Sequence, residues 1–179
     1  YFGCDPLHPL YGDFEPYPTH PLGGTVLALS RFVEAVHFPE GELLLDRLSR
    51  FILDQSGTFD TEGRFRGHTH SGGILTAAVG LLRWALHKGD AATVARMKNA
   101  FDWCAAHSSS WGWVPDGLGQ ADATCETCAL TDALHLALLL ARHVDPAYYD
   151  TGERYARNQL MENQFRDSER LVPAATDPM

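Results

Sequence analysis

The sequence predicts an all-α chain built from successive antiparallel helical hairpins. Three observations predict it. Apolar residues recur at intervals of three and four along most of the chain. Segments that are apolar nearly all round alternate with amphipathic ones, three times over, with starts roughly fifty residues apart, the period of a helical-hairpin repeat. Short links also alternate with long ones, as a stack of hairpins requires.

The first helix is expected over residues 24–37, where Val26, Leu29, Val33 and Val36 keep helical spacing and the segment stops before Pro39. The turn Pro39-Glu40-Gly41 leads to a second over 43–55. It sets Leu44, Leu48, Phe51 and Ile52 on one face and Asp46, Arg47, Arg50 and Asp54 off it, and Gly57 closes it. The third, over 70–88, carries Ile74, Leu75, Ala77, Ala78, Val79, Leu81, Leu82 and Trp84, a pattern that demands burial on most sides. Asp90 is the expected N-cap of a fourth over 91–107, with a core stripe of Val94, Met97, Phe101 and Cys104 and with Arg96, Lys98 and Asp102 outside it. The fifth, over 128–143, is again apolar almost all round. The sixth, over 147–164, follows Pro146 and places Glu153 and Arg157 one turn apart on a polar side.

Each inner helix reaches its outer partner by a short link, whereas residues 1–24, 56–69 and 108–127 form long ones. The long links must share the end that carries the inner-helix N-termini, and they hold most of the His, Trp, Gly and Pro. Inner and outer helices with functional loops at one rim describe an (α/α) toroid; three hairpins make half of an (α/α)6 ring. One toroid-type domain over residues 1–179 is the expectation, either as it stands or as a fragment of a longer catalytic domain. A net charge of -9 and a pI near 5.3 argue against the basic patch that nucleic acid or an anionic membrane needs, and favour a neutral or cationic ligand. No run approaches the roughly twenty apolar residues of a membrane span. Without a signal-peptide pattern, a cytoplasmic setting is expected.

Four groups of residues can carry chemistry. Cys125-Glu126-Thr127-Cys128 is the sharpest. A redox C-x-x-C needs a strand and a βαβ setting, which this pattern lacks. Half of a zinc site is a second use, completed by a distant His or Cys or by the Glu126 carboxylate; two thiols packed at the start of a buried helix is the plain alternative. His68 and His70, among Gly67, Gly72 and Gly73, open the third helix, and at i,i+2 at most one can point to the rim. Trp111 and Trp113, with Tyr11, Phe14 and Tyr17, offer flat faces to a sugar, or fill the core. Asp116 and Asp122 lie in the loop before Cys125, where a general acid belongs, or are simply solvated. Cys104 sits on a core stripe and is expected to be inert.

From Gly67 to Leu160 the chain resembles the β-L-arabinofuranosidase family of glycoside hydrolases, family 127 and its relatives, whose catalytic domain is an (α/α) toroid. The family's Gly-His opening, with an apolar helix ending in Thr-Gly-Asp, is similar to His70 through Lys88-Gly89-Asp90. Its Glu-Thr-Cys-Ala matches Glu126-Thr127-Cys128-Ala129. Its Tyr-x-Asp-x-x-Glu-Arg motif, running on to Asn and Leu, has a near match in Tyr148, Asp150, Glu153, Arg154, Asn158 and Leu160. The resemblance implies that Cys128 is nucleophile and zinc ligand and that Glu126 is a second ligand. Cys125 and a histidine from the 67–70 loop are then the candidates to complete the set. Two departures stand out. The family's other ligands are a downstream cysteine pair, and no cysteine follows Cys128. The family's general acid is a Glu, where this chain offers Asp116.

The expected function is therefore a glycoside hydrolase-like protein that binds or cleaves a glycan. Cys128 and Asp116 would be catalytic, and His70, His68, Trp111 and Trp113 would bind substrate. Zinc would be held by Glu126, Cys128 and Cys125. Two alternatives use the same scaffold: a metal-independent carboxylate enzyme, such as an unsaturated glycuronyl hydrolase or a sugar epimerase, and a noncatalytic helical-hairpin binding module.

Overall fold

The computed structural model describes residues 19–66, 70–117 and 125–163. Six α-helices occupy them: α1 (Thr19–Ala35), α2 (Pro39–Arg50), α3 (Ser71–Lys88), α4 (Ala91–Ala106), α5 (Thr127–His143) and α6 (Tyr148–Tyr155). α2 and α6 each run on into a π turn, Phe51–Gln55 and Ala156–Leu160. Among the described residues there is no strand, only two isolated bridges, Phe59 with Phe65 and His70 with Gly117. The class is all-α. Tyr11, Phe14, Tyr17, Gly67, His68 and Asp122 lie outside the described residues. No described helix is long and apolar enough to cross a membrane.

α1 packs on α2, α3 on α4 and α5 on α6, and α3 lies between α1 and α5. Contacts give the direction of the inner helices. Gly23 faces Gly73 and Ala77 while Val26 and Leu27 face Gly80; further along, Gly72 faces Cys128 while Thr76 bonds Asp132. The numbering rises the same way on all three, so α1, α3 and α5 are parallel and their N-termini share one end. Glycine makes the α1 to α3 approach possible. A Cβ at Gly80 would stand 2.7 Å from the Leu27 nitrogen. The core between the layers includes Val26, Leu75, Leu82, Phe101, Leu130 and Leu136.

Four sequence expectations are corrected. α1 begins at Thr19, before the expected 24, because Gly23 is the close-contact residue inside the helix rather than its boundary. Pro39-Glu40-Gly41, expected as a turn, is the first turn of α2: proline at the start lacks only an N–H that would go unbonded, and Glu40 and Glu42 face the positive helix end. The buried face of α2 is Gly41, Leu45 and Ser49, whereas Leu44 is 49% exposed. Small residues set that register, since a Cβ at Gly41 already crowds Phe38 and Val33. α5 is not buried all round: Leu138, which faces Gly152 of α6, is still 43% exposed.

Asp90 caps α4 as expected, accepting from the Ala92 and Thr93 N–H groups at 3.1 Å each. Hydrogen bonds from Thr93, hydroxyl and backbone, hold its carboxyl below the usual range. A depressed carboxylate stabilises the fold above its unfolded value, near 3.9, and that contribution disappears as pH falls through the folded value. Asp90→Ala is expected to cost about 1 kcal/mol in urea unfolding at neutral pH. The gap to wild type should close in strong acid.

Candidate functional site

The loop after α4 is shaped locally and then clamped by α6. Ser109 N–H donates to the Trp113 carbonyl at 2.9 Å, and Trp113 N–H donates back to Ser109 Oγ at 2.8 Å. Between them Gly112 has φ of 109°, a conformation that suits glycine, and a Cβ there would meet the Arg154 carbonyl oxygen at 3.0 Å. Arg154 Nη1 donates to the Ser110 carbonyl, Asn158 Nδ2 to the Trp111 carbonyl at 2.7 Å, and Gln159 Oε1 accepts from Val114 N–H at 3.0 Å. The loop then docks on α3, where Ser71 N–H and Oγ donate to the Asp116 carbonyl at 2.7 and 2.5 Å. Asp116 is thereby fixed beside His70. Ser71 and Gln159 were not singled out by sequence reasoning; Arg154 and Asn158 were, but only as parts of a motif.

His70 is the N-cap of α3, and its Nδ1 accepts from Gly73 N–H at 3.1 Å. In a neutral ring that bond assigns the proton to Nε2. Nε2 stands 3.2 Å from Glu126 Oε2 and 4.0 Å from Cys128 Sγ, and Cys128 Sγ donates to Glu126 Oε2 at 3.1 Å. On the Nδ1 side, 3.6 Å away, lies Asp116 Oδ1, buried and with no hydrogen-bond partner among the described residues. Gly72 keeps the gap open. A Cβ on it would sit 2.7 Å from His70 Cε1 and 3.0 Å from Cys128 Sγ. His70, Asp116, Glu126 and Cys128 are thus brought together at the end of the stack carrying the N-termini of α3 and α5.

No family model, no curated protein and no solved structure matches this chain.

Cys128 is the second residue of α5. Although the helix start helps a thiolate through Ala129 N–H, burial and the Glu126 carboxylate outweigh it and push the thiol up to about 11. At neutral pH it is therefore S–H in the metal-free protein. Cys125, expected as a third ligand, stands outside the cluster. Glu126 is extended (φ −106°, ψ 140°), so neighbouring side chains point to opposite sides, and the Cys125 sulfur instead accepts from Gln159 Nε2. Cys104 is fully buried in the core, where desolvation pushes its thiol up to about 12. Trp111 is 51% exposed on the loop and Trp113 half-buried.

The donor set can be tested against a cation. One ligand atom each from His70, Glu126 and Cys128 lies within 4.8 Å of the others. Atoms bonded to tetrahedral zinc at about 2.0–2.3 Å are roughly 3.3–3.8 Å apart, close to the spacings found here. Thiolate, imidazole and carboxylate suit zinc, and three protein ligands leave a position open, as in catalytic zinc sites. The orphaned Asp116 oxygen fits the other tautomer: with Nε2 on the ion, the His70 proton would sit on Nδ1 and be donated to Asp116 Oδ1, in place of the Gly73 N–H bond of the metal-free protein. The residues present fit the ion.

Proposed function

We propose that this chain is a glycoside hydrolase-like protein of the β-L-arabinofuranosidase type, its three hairpins forming part of an (α/α) toroid with the glycan cleft at the rim. One observation carries the reading: a thiol, an imidazole and two carboxylates converge at the shared end of the parallel inner helices. Cys128 is the nucleophile, and His70, Glu126 and Cys128 hold the cation. A bound zinc ion supplies the positive charge that keeps the sulfur a thiolate at neutral pH. The Cys128 sulfur attacks the anomeric carbon; the glycosidic C–O bond breaks, and its electron pair leaves on the oxygen, which takes the carboxyl proton of Asp116. Water then adds to the same carbon, gives a proton back to Asp116, and the C–S electron pair returns to sulfur. Trp111 offers an exposed face for a sugar ring.

The metal-independent carboxylate rival is favoured by one finding, the Cys128 thiol standing at about 11. In that reading Asp116 and Glu126 move the protons and Cys128 is dispensable. A panel of 4-nitrophenyl glycosides separates the two. The wild type is expected to release nitrophenol from the β-L-arabinofuranoside, and Cys128→Ala to lose at least about 10³-fold in kcat/KM. Full activity in Cys128→Ala overturns the thiolate mechanism, and no activity on any member favours a noncatalytic binding module.

A further inference from the structure

The cation site leaves Cys125 without a task, and α6 carries a polar residue where packing needs none. On the inward face of α6 and its π turn, Gly152, Tyr155 and Gln159 follow one another at intervals of three and four, and all are buried. Gln159 is only 2% exposed. An unbranched apolar side chain would fill the same space, whereas an amide is unfavourable there unless both its ends are bonded. Both ends are bonded here: Oε1 accepts from Val114 N–H at 3.0 Å, and Nε2 donates to Cys125 Sγ.

The two partners belong to different runs of chain. Val114 stands two residues before Asp116; Cys125 stands directly before Glu126 and three residues before Cys128. Capping an orphaned loop N–H would need the amide oxygen alone, and it leaves the bond to sulfur unexplained. Ser71 already holds the Asp116 carbonyl from the α3 side. Gln159 adds a tie between that run and the one leading into α5. It does so from the π turn Ala156–Leu160, a local change of winding that re-aims side chains and recurs at functional sites.

We infer that Gln159 is a positioning residue for the cation site: its amide ties the run carrying Asp116 to the run carrying Glu126 and Cys128, with the Cys125 sulfur as acceptor in that tie. The inference rests on the zinc assignment above. Cobalt(II) stands in for zinc in the test, because its visible d–d bands report the geometry of its ligands. It is titrated into wild type, Gln159→Met, Cys125→Val, their double variant and Cys125→Ser. Gln159→Met and Cys125→Val should each raise the cobalt Kd at least about tenfold, the lower end of what outer contacts are worth at metal sites, and should alter the bands while the circular dichroism stays unchanged. Cys125→Ser keeps an acceptor and should match wild type in both. The double variant should match Gln159→Met, since the two substitutions remove one shared contact. Should Gln159→Met fail to fold, Cys125→Val, which lies outside the helices, carries the test against Cys125→Ser. Wild-type Kd and bands in Gln159→Met and Cys125→Val overturn the inference and leave the zinc assignment standing, as do losses that add in the double variant. Loss of cobalt from Cys125→Ser makes the sulfur a ligand and overturns its role as acceptor. No cobalt binding by wild type overturns inference and assignment together.

Discussion

Protein loaded with zinc and passed through gel filtration is expected to keep one ion per chain, and Cys128→Ser and His70→Ala are each expected to lose it. Cys104→Ser and Cys125→Ser should keep it. The contrast follows from placement: Cys104 is sealed in the core, Cys125 is turned to Gln159, and only Cys128 shares a centre with His70 and Glu126. A catalytic zinc site stands on three protein ligands, so removing one leaves two, too few for a stable site. Asp116→Asn changes the hydrogen-bond partner behind His70 and should weaken binding about 10–100-fold, the usual effect of an outer partner. Affinity should fall as pH drops, because protons compete for the imidazole and the thiolate. Elemental analysis and chelator competition read all six proteins; metal retained in full by Cys128→Ser contradicts the assignment.

The second large effect separates two roles for Asp116. If it gives a proton to the leaving oxygen, Asp116→Asn should slow hydrolysis of a methyl glycoside by about 10²–10⁴-fold, the range of general acid catalysis. Hydrolysis of the 4-nitrophenyl glycoside should suffer far less, since nitrophenolate leaves without a proton. If Asp116 only orients His70, both substrates slow by the same factor. Rates of the two glycosides, measured on metal-saturated variant, decide it. Equal losses would make Asp116 a positioning residue.

Much of the fold was legible because helix period and burial are written in the same residues. Met97, Phe101 and Cys104 repeat at helical spacing and are all buried, and Asp90 announces α4 with a cap that the structure keeps. Boundaries were less legible where glycine or proline serves packing. Sequence alone carries the first long link through to residue 24 and makes Pro39 part of a turn, yet Gly23 is the contact that lets α1 close on α3 and Pro39 opens α2. The convergence of His70 with Glu126 and Cys128 followed from the link lengths, which place all long loops at one end. What the spacing did not contain was direction within a turn. That Cys125 faces Gln159 depends on one extended residue, Glu126, and that Asp116 lies behind His70 depends on Ser71 gripping the Asp116 carbonyl. The Arg154, Asn158 and Gln159 contacts to the 110–114 loop come from a helix over forty residues away in sequence. No local pattern carries such information.

The central claim is that the Cys128 sulfur bonds the sugar during turnover. Zinc-loaded wild-type protein mixed with excess 2,4-dinitrophenyl β-L-arabinofuranoside, quenched in acid during steady state and examined by intact mass and peptide mapping, tests it directly. A chain heavier by one pentosyl unit, with the unit on Cys128 and absent from Cys128→Ser, is the predicted result. Turnover that continues while Cys128 remains an unmodified thiol, still fully alkylated after the quench, would contradict it.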